Sequence, residues 1–267
     1  MFTCQSTRTH NSRKRLRRKC WWPGHFYFMS HWRTWLSERV LPAPDRYATC
    51  PSDGVVLDYY AGVFESVYVL LHPFMRPVSL NPDLFKPSTY PDRATIAANC
   101  EPIRWSDVLE FSGFTSIREI DIGLRTQVGA LKADVSSPEF AGRLDALFES
   151  HQIVPPDEGH FSDILHDRVL GFLQQLGHAW VWVGDEFCTE RRLYWIDDLK
   201  GREANATLGH CNVFTPDKSL LWTTHWDSCC SFVCGPRQVL EQLAAKREFE
   251  GFFCTPRTHV YWGLHET

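Results

Sequence analysis

Long apolar runs are the first thing this chain lacks. No stretch is long enough to span a membrane. Nothing before residue 60 supplies the uninterrupted apolar core of a secretory signal. Short catalytic and ligand-binding signatures are missing too. The sequence holds no CxxC, no HExxH, no GxSxG, no Walker loop and no GxGxxG. These absences remove sequence support for a zinc site of recognisable spacing, for a nucleophile-elbow hydrolase and for a nucleotide cradle. Acidic residues are absent from residues 1–28, which hold seven basic ones: Arg8, Arg13, Lys14, Arg15, Arg17, Arg18 and Lys19.

That asymmetry divides the charge. The formal net charge is −4, but residues 29–267 carry 21 basic against 32 acidic residues, a net of −11. An acidic body disfavours nucleic acid as its partner and favours a basic protein. Segment 1–28 reads as a disordered basic leader, with Met29 as the expected true start. A nucleic-acid arm through RKRLRRK and Trp21-Trp22 is the functional alternative. Residues 29–267 are expected to form a single domain. The ten cysteines are scattered through a chain with ample core, 43% hydrophobic with 11 Trp and 18 Phe. They are read as mostly buried thiols of a cytoplasmic protein, not as a disulfide framework.

Read in order, the chain alternates helical and strand-like patterns. His31 to Val40 is amphipathic, with Trp32, Trp35 and Leu36 on one side. Tyr59 to Glu65 reads as helical and Ser66–Leu71 as a buried strand ending at His72-Pro73. Four prolines between Arg76 and Arg93 predict a long irregular loop. Ser106 is placed to cap Asp107–Phe111. Ser116 to Asp134 carries Ile117, Ile120, Leu124, Val128 and Leu131 at helical steps. Ser137-Pro138 is an N-cap followed by proline at the first helical position. Phe161 to Leu176 is a further helix, stopped by Gly177. Strands are predicted at 179–183, 193–196, 206–214, 219–226, 228–234, 248–254 and 258–262. A helix opened by Pro236 lies among the last of these. The fold class expected is α+β: a mostly antiparallel or mixed sheet built from 178–262, packed with helices from the middle of the chain.

Several of these stretches carry a likeness. His225-Trp226-Asp227, the apolar run ending at Cys234-Gly235, and Glu250-Gly251-Phe252-Phe253-Cys254 with Thr258 and Trp262 resemble the C-terminal part of an uncharacterised bacterial family. That family is known only as a domain of unknown function, DUF2711. Leu70 to Phe74 and Gly129 to Lys132 extend the resemblance over most of the chain after about residue 55. It implies a soluble bacterial protein and transfers no catalytic residue. The EGFF…T…W ending is also similar to that of some toxin-immunity proteins, which implies a binding role.

Candidate chemistry is sparse. A metal would have to draw on His225, Asp227, His210, Cys211, Cys254 and His259. Only His225-x-Asp227 has a useful spacing, both side chains falling on one face if that step is a strand; no metal and no cofactor is expected. Cys230 with His225 is the conceivable thiol–base pair, but apolar strands raise a thiol pKa. Asp197-Asp198 and Asp185-Glu186 read as solvated turns. The leading functional expectation is a non-enzymatic module that binds a basic protein, of the immunity type or otherwise. The rival is a hydrolase-like enzyme with its site at His72, His225 and Asp227.

Overall fold

The run Ser66–Leu71 offers water no polar face, so a strand made of it must be covered on both sides. The computed structural model describes residues 43–131, 133–201, 208 and 211–260, and in it all six residues of this strand are buried. The elements in chain order are α1 (Val56–Tyr60), β1 (Ser66–Leu71), β2 (Phe74–Pro77), α2 (Arg93–Asn99), β3 (Cys100–Ile103), α3 (Trp105–Ser112), α4 (Ile117–Gln127), α5 (Pro138–His151) and α6 (Asp163–Gln175). There follow β4 (Trp180–Asp185), β5 (Arg191–Trp195), α7 (Ile196–Leu199), β6 (Cys211–Phe214), β7 (Leu221–Thr224), β8 (Cys230–Gly235), α8 (Arg237–Ala244) and β9 (Gly251–Phe253). The leader, the start at Met29, the helix over 31–40, His210 and Trp262 lie outside the described residues.

Among the described residues, seven strands form one sheet in the order β5-β4-β6-β7-β8-β1-β9, and β2 pairs with β3 separately. Each of these pairings is antiparallel. The fold is α+β with an antiparallel sheet, as the sequence predicts. The sheet is not C-terminal alone, however: β1 enters between β8 and β9, in register Val69↔Phe232 and Val69↔Phe252.

Helices cover both faces of the sheet. Val69, Leu71, Phe232 and Cys234 face Trp105 of α3, Ile120 and Leu124 of α4 and Leu144 of α5. Tyr68, Leu70, Trp222 and Val233 face Ile96 of α2, Leu165 and Val169 of α6 and Leu240 of α8. Two helical layers are needed because β1, β7 and β8 are buried on both alternations.

Local signals set most boundaries. Ser116 and Ser137 accept from the amides of Glu119 and Phe140, each at 3.3 Å, as N-caps. Gly177 adopts φ 93° beyond α6. Some boundaries differ. Helix α4 stops at Gln127 rather than Asp134, since Val128 is its C-cap and Gly129 follows with φ 72°. Trp105, not Asp107, opens α3, and Pro236 is the N-cap of α8, not its first residue. Asp197-Asp198 forms the first turn of α7 instead of a loop turn. The proline-rich loop contains a 3-10 turn at Pro82–Leu84, and α2 and β3 follow where no element was predicted. Of the final predicted strand, His259 makes an isolated bridge to Val55.

Candidate functional site

His72 lies just past the end of β1, where its ring Nε2 meets Ser231 Oγ at 2.6 Å; Ser231 Oγ in turn meets Thr224 Oγ1 at 2.8 Å. Its backbone N–H donates to the Cys229 carbonyl, and its own carbonyl accepts from Trp105 Nε1 at 2.7 Å. Burial pushes the ring pKa down to about 3, so the imidazole is neutral. His225 is buried too. Its Nδ1 accepts from the Asp227 amide at 3.1 Å and its Nε2 lies 3.3 Å from the Ser52 carbonyl. Burial, with Arg125 nearby and against the pull of Asp227, lowers it to about 4.

The structure therefore joins His225 to Asp227 and gives His72 a separate set of partners. The His225-x-Asp227 step is not a strand. Ser228 N donates to His225 O, closing a turn, so the shared strand face expected of the pair does not arise. Among the described residues no group of three or more His, Cys, Asp or Glu is arranged to hold a metal. The cysteines whose side chains are described are all free, and burial drives the Cys230 thiol up to about 12, against thiolate formation.

Helix α4 hides a pair that periodicity alone passes over. Arg125, 1% exposed, donates from Nε to Asp121 Oδ1 at 3.1 Å, and Asp121 is buried with it. Arg125 Nη1 and Nη2 have no hydrogen-bond partner among the described residues. Leu124 and Val128, flanking the pair in sequence, line a cleft of about 400 Å³ with Pro156, Glu158, His160 and Cys229, to which Arg125 itself does not contribute. The Asp/Arg spacing of four was visible in the sequence, but it reads equally as a solvated pair.

A second polar cluster joins α2 to α6. Arg93 Nη1 stands 2.6 Å from both His166 Nδ1 and Asp167 Oδ1, and Arg93 Nη2 donates to the Gly201 carbonyl at 2.9 Å. Asp167 also accepts from the Gly201 amide at 3.0 Å. These groups border a cleft of about 350 Å³ that Asp163 lines one turn earlier. The two carboxyls are pushed apart. Burial, with Asp157 close by, raises Asp163 to about 6. The His166 bond, the Gly201 amide and Arg93 hold Asp167 at about 2, against burial.

A third feature is the free end of the sheet. Among the described residues, strand β5 pairs only with β4. Trp180 stands opposite Trp195 across that pair, their ring centroids 5.1 Å apart, and Leu193 lies on the same side two residues away. All three are exposed, at 41%, 44% and 40%. Burial of such a patch is the usual reason for its existence.

A family model described as "Protein of unknown function (DUF2711)" matches residues 52–264. The chain belongs to the DUF2711 family. No curated protein and no solved structure matches it, and none of the comparisons shows a likeness to toxin-immunity proteins. The residues that carried the DUF2711 resemblance do structural work where they are described. Glu250 Oε2 and Oε1 accept from the amides of Trp105 and Ser106 at the start of α3, at 2.6 and 2.9 Å. Gly251 runs so close to β1 that a Cβ there would sit 1.9 Å from the Val69 carbonyl oxygen. Thr258 Oγ1 accepts from the Thr255 amide at 2.9 Å. No described helix of this DUF2711 chain is long and apolar enough to cross a membrane.

Proposed function

We propose that this DUF2711 protein is a non-enzymatic binding protein that takes an extended, basic segment of another protein along the open edge of β5. The observation behind it is that edge itself: a strand that is terminal and hydrogen-bonded on one side among the described residues, flanked by exposed Trp180, Leu193 and Trp195. A strand laid alongside satisfies the free backbone groups of an edge and buries its apolar side chains. Charge selects the partner. Asp185, Glu186, Glu190, Asp197 and Asp198 surround the β4–β5 hairpin against Arg191 and Arg192, which favours a basic segment. An immunity-type inhibitor of a toxin would be one protein of this class.

The test is titration of a fluorescent peptide of alternating Lys and Val against the full chain, with hydrogen exchange on the complex. Saturable binding that protects the amides of Arg191–Trp195, weakens with salt and is lost in Leu193→Pro supports the reading. Binding that leaves those amides unprotected, or no binding, removes it.

One observation favours a second reading, an enzyme. Asp163 and Asp167 share one cleft with their pKa values pushed to about 6 and about 2, the split that assigns an acid and a base in carboxylate pairs. A panel of ester, phosphoester and glycoside substrates run against the native chain and Asp163→Asn checks it. An activity absent from both, or equal in both, ends that reading.

A further inference from the structure

The cleft of about 350 Å³ between α2 and α6 carries two side chains of each sign: Arg93 and Arg168, Asp163 and Asp167. One pair is spent. Arg93 Nη1 lies 2.6 Å from Asp167 Oδ1, and Arg93 Nη2 is held by the Gly201 carbonyl. One charge of each sign is left, the half-buried Asp163 carboxylate and the exposed Arg168 guanidinium. Neither makes an ion pair or hydrogen bond with any described residue.

Asp163 and Arg168 are five residues apart on α6, about 7.5 Å along a helix axis. That gap admits the ammonium and the carboxylate of one small molecule, each at hydrogen-bond distance from its protein partner. Ala94, Ala97 and Ala98 of α2 and Ile164 of α6 line the same cleft, an apolar surface for the carbon body of such a molecule. The field around Asp163 also suits a cation. Burial and then Asp157 raise its carboxyl to about 6, against Arg93 and His160 and with a smaller push from Asp92. It is therefore mostly ionised at pH 7, with two further carboxylates acting on it.

We propose that the cleft between α2 and α6 binds a small α-amino acid with an apolar side chain, its ammonium on Asp163 and its carboxylate on Arg168. Such binding stands apart from strand addition, since β5 lines no part of this cleft, and it requires no turnover.

Binding should follow the ionisation of Asp163. The titratable and charged groups around it are Asp92 and Arg93 at the start of α2, Asp157 and His160 before α6, Asp167 and Arg168 further along α6, and Cys100 of β3. Asp167 is held at about 2 and burial pushes the Cys100 thiol up, so neither changes charge between pH 5 and 7.5.

Calorimetric titration of the full chain with L-alanine, L-leucine and L-phenylalanine, each separately, is the test. Saturable binding of at least one is expected at pH 7.5. It should be about tenfold weaker at pH 5, where only about a tenth of Asp163 is ionised. The primary amide and the N-acetyl derivative of the amino acid that binds each lack one charge and should bind at least about tenfold less tightly. Asp163→Asn and Arg168→Ala should each weaken binding about tenfold or more, as loss of a charged hydrogen bond does. Asp163→Asn should also lose most of the pH dependence, while exposed Arg192→Ala changes neither. Melting temperatures of the variants without ligand confirm that each is folded. Absence of saturable binding by all three amino acids overturns the proposal. So does binding that survives both cleft substitutions, that Arg192→Ala weakens as much, or that the amide and the N-acetyl derivative match.

Discussion

Glu250 and Trp105 are 145 residues apart in the chain, yet the Glu250 carboxylate accepts the Trp105 backbone N–H at 2.6 Å. The bond is a helix cap supplied from another part of the fold. Its second oxygen takes the Ser106 amide, so one carboxylate serves two of the amides that α3 leaves open. A negative charge at that end also meets the positive end of the helix dipole. Glu250→Ala is therefore expected to destabilise the protein by about 1–2 kcal/mol. Urea denaturation checks this, with exposed Glu248→Ala as a control that should differ little from the native chain.

Gly251 allows β9 to approach β1. A methyl group there would meet the Val69 carbonyl oxygen at 1.9 Å and the Tyr68 ring at 2.8 Å. Backbone cannot yield as a side-chain tip can, so Gly251→Ala is expected to cost about 3 kcal/mol or more. Hydrogen exchange should show β9 released before the rest of the sheet.

Asp121 and Arg125 are buried together, so removing the carboxylate leaves a buried guanidinium without its ion pair. Asp121→Ala is expected to cost about 3–5 kcal/mol. The double variant Asp121→Leu/Arg125→Met should cost much less than the two single changes added together. A double-mutant cycle by chemical denaturation measures the difference.

His72 makes stability depend on acid. In the folded protein its pKa is about 3, below the ordinary 6.5, so the unfolded chain takes up a proton that the folded one refuses. Stability is full above about pH 6.5 and falls as the pH drops towards 3, by at most about 1.4 kcal/mol per pH unit for one proton. His72→Asn should lessen that slope. Guanidinium unfolding at pH 7, 6, 5 and 4 gives the comparison; His225, lowered to about 4, keeps part of it.

Asp163 acts in the opposite sense. Its folded pKa is raised to about 6 from 3.8, so between those values the folded state holds a proton that the unfolded chain has lost. Its contribution falls as the pH rises from about 4 to 6 and is flat above. Asp163→Asn is expected to remove this fall and to melt higher than the native chain at pH 7.

The legible parts of this protein are those written in neighbouring residues. Ser116 and Ser137 mark helix starts, Gly177 marks an end, and Ser66–Leu71 declares a strand buried on both faces. Each works within one or two turns of chain, where backbone geometry and side-chain period are set. Candidate site residues were less legible. His225 and Asp227 do come together, but as a turn. Arg93, Asp163 and Asp167 carry no spacing that separates them from an ordinary wet helix face.

The sequence by itself determined most of the elements, the serine caps at Ser116 and Ser137 and an α+β class with a mostly antiparallel or mixed sheet, because those follow from local period and propensity. Only the tertiary structure decided that β1 lies between β8 and β9, that Glu250 caps α3, that Asp121 and Arg125 are buried, and that Arg93 and Asp163 share a cleft. These depend on partners tens to more than a hundred residues away, and a contact closed over that distance leaves no periodic trace in the chain that forms it.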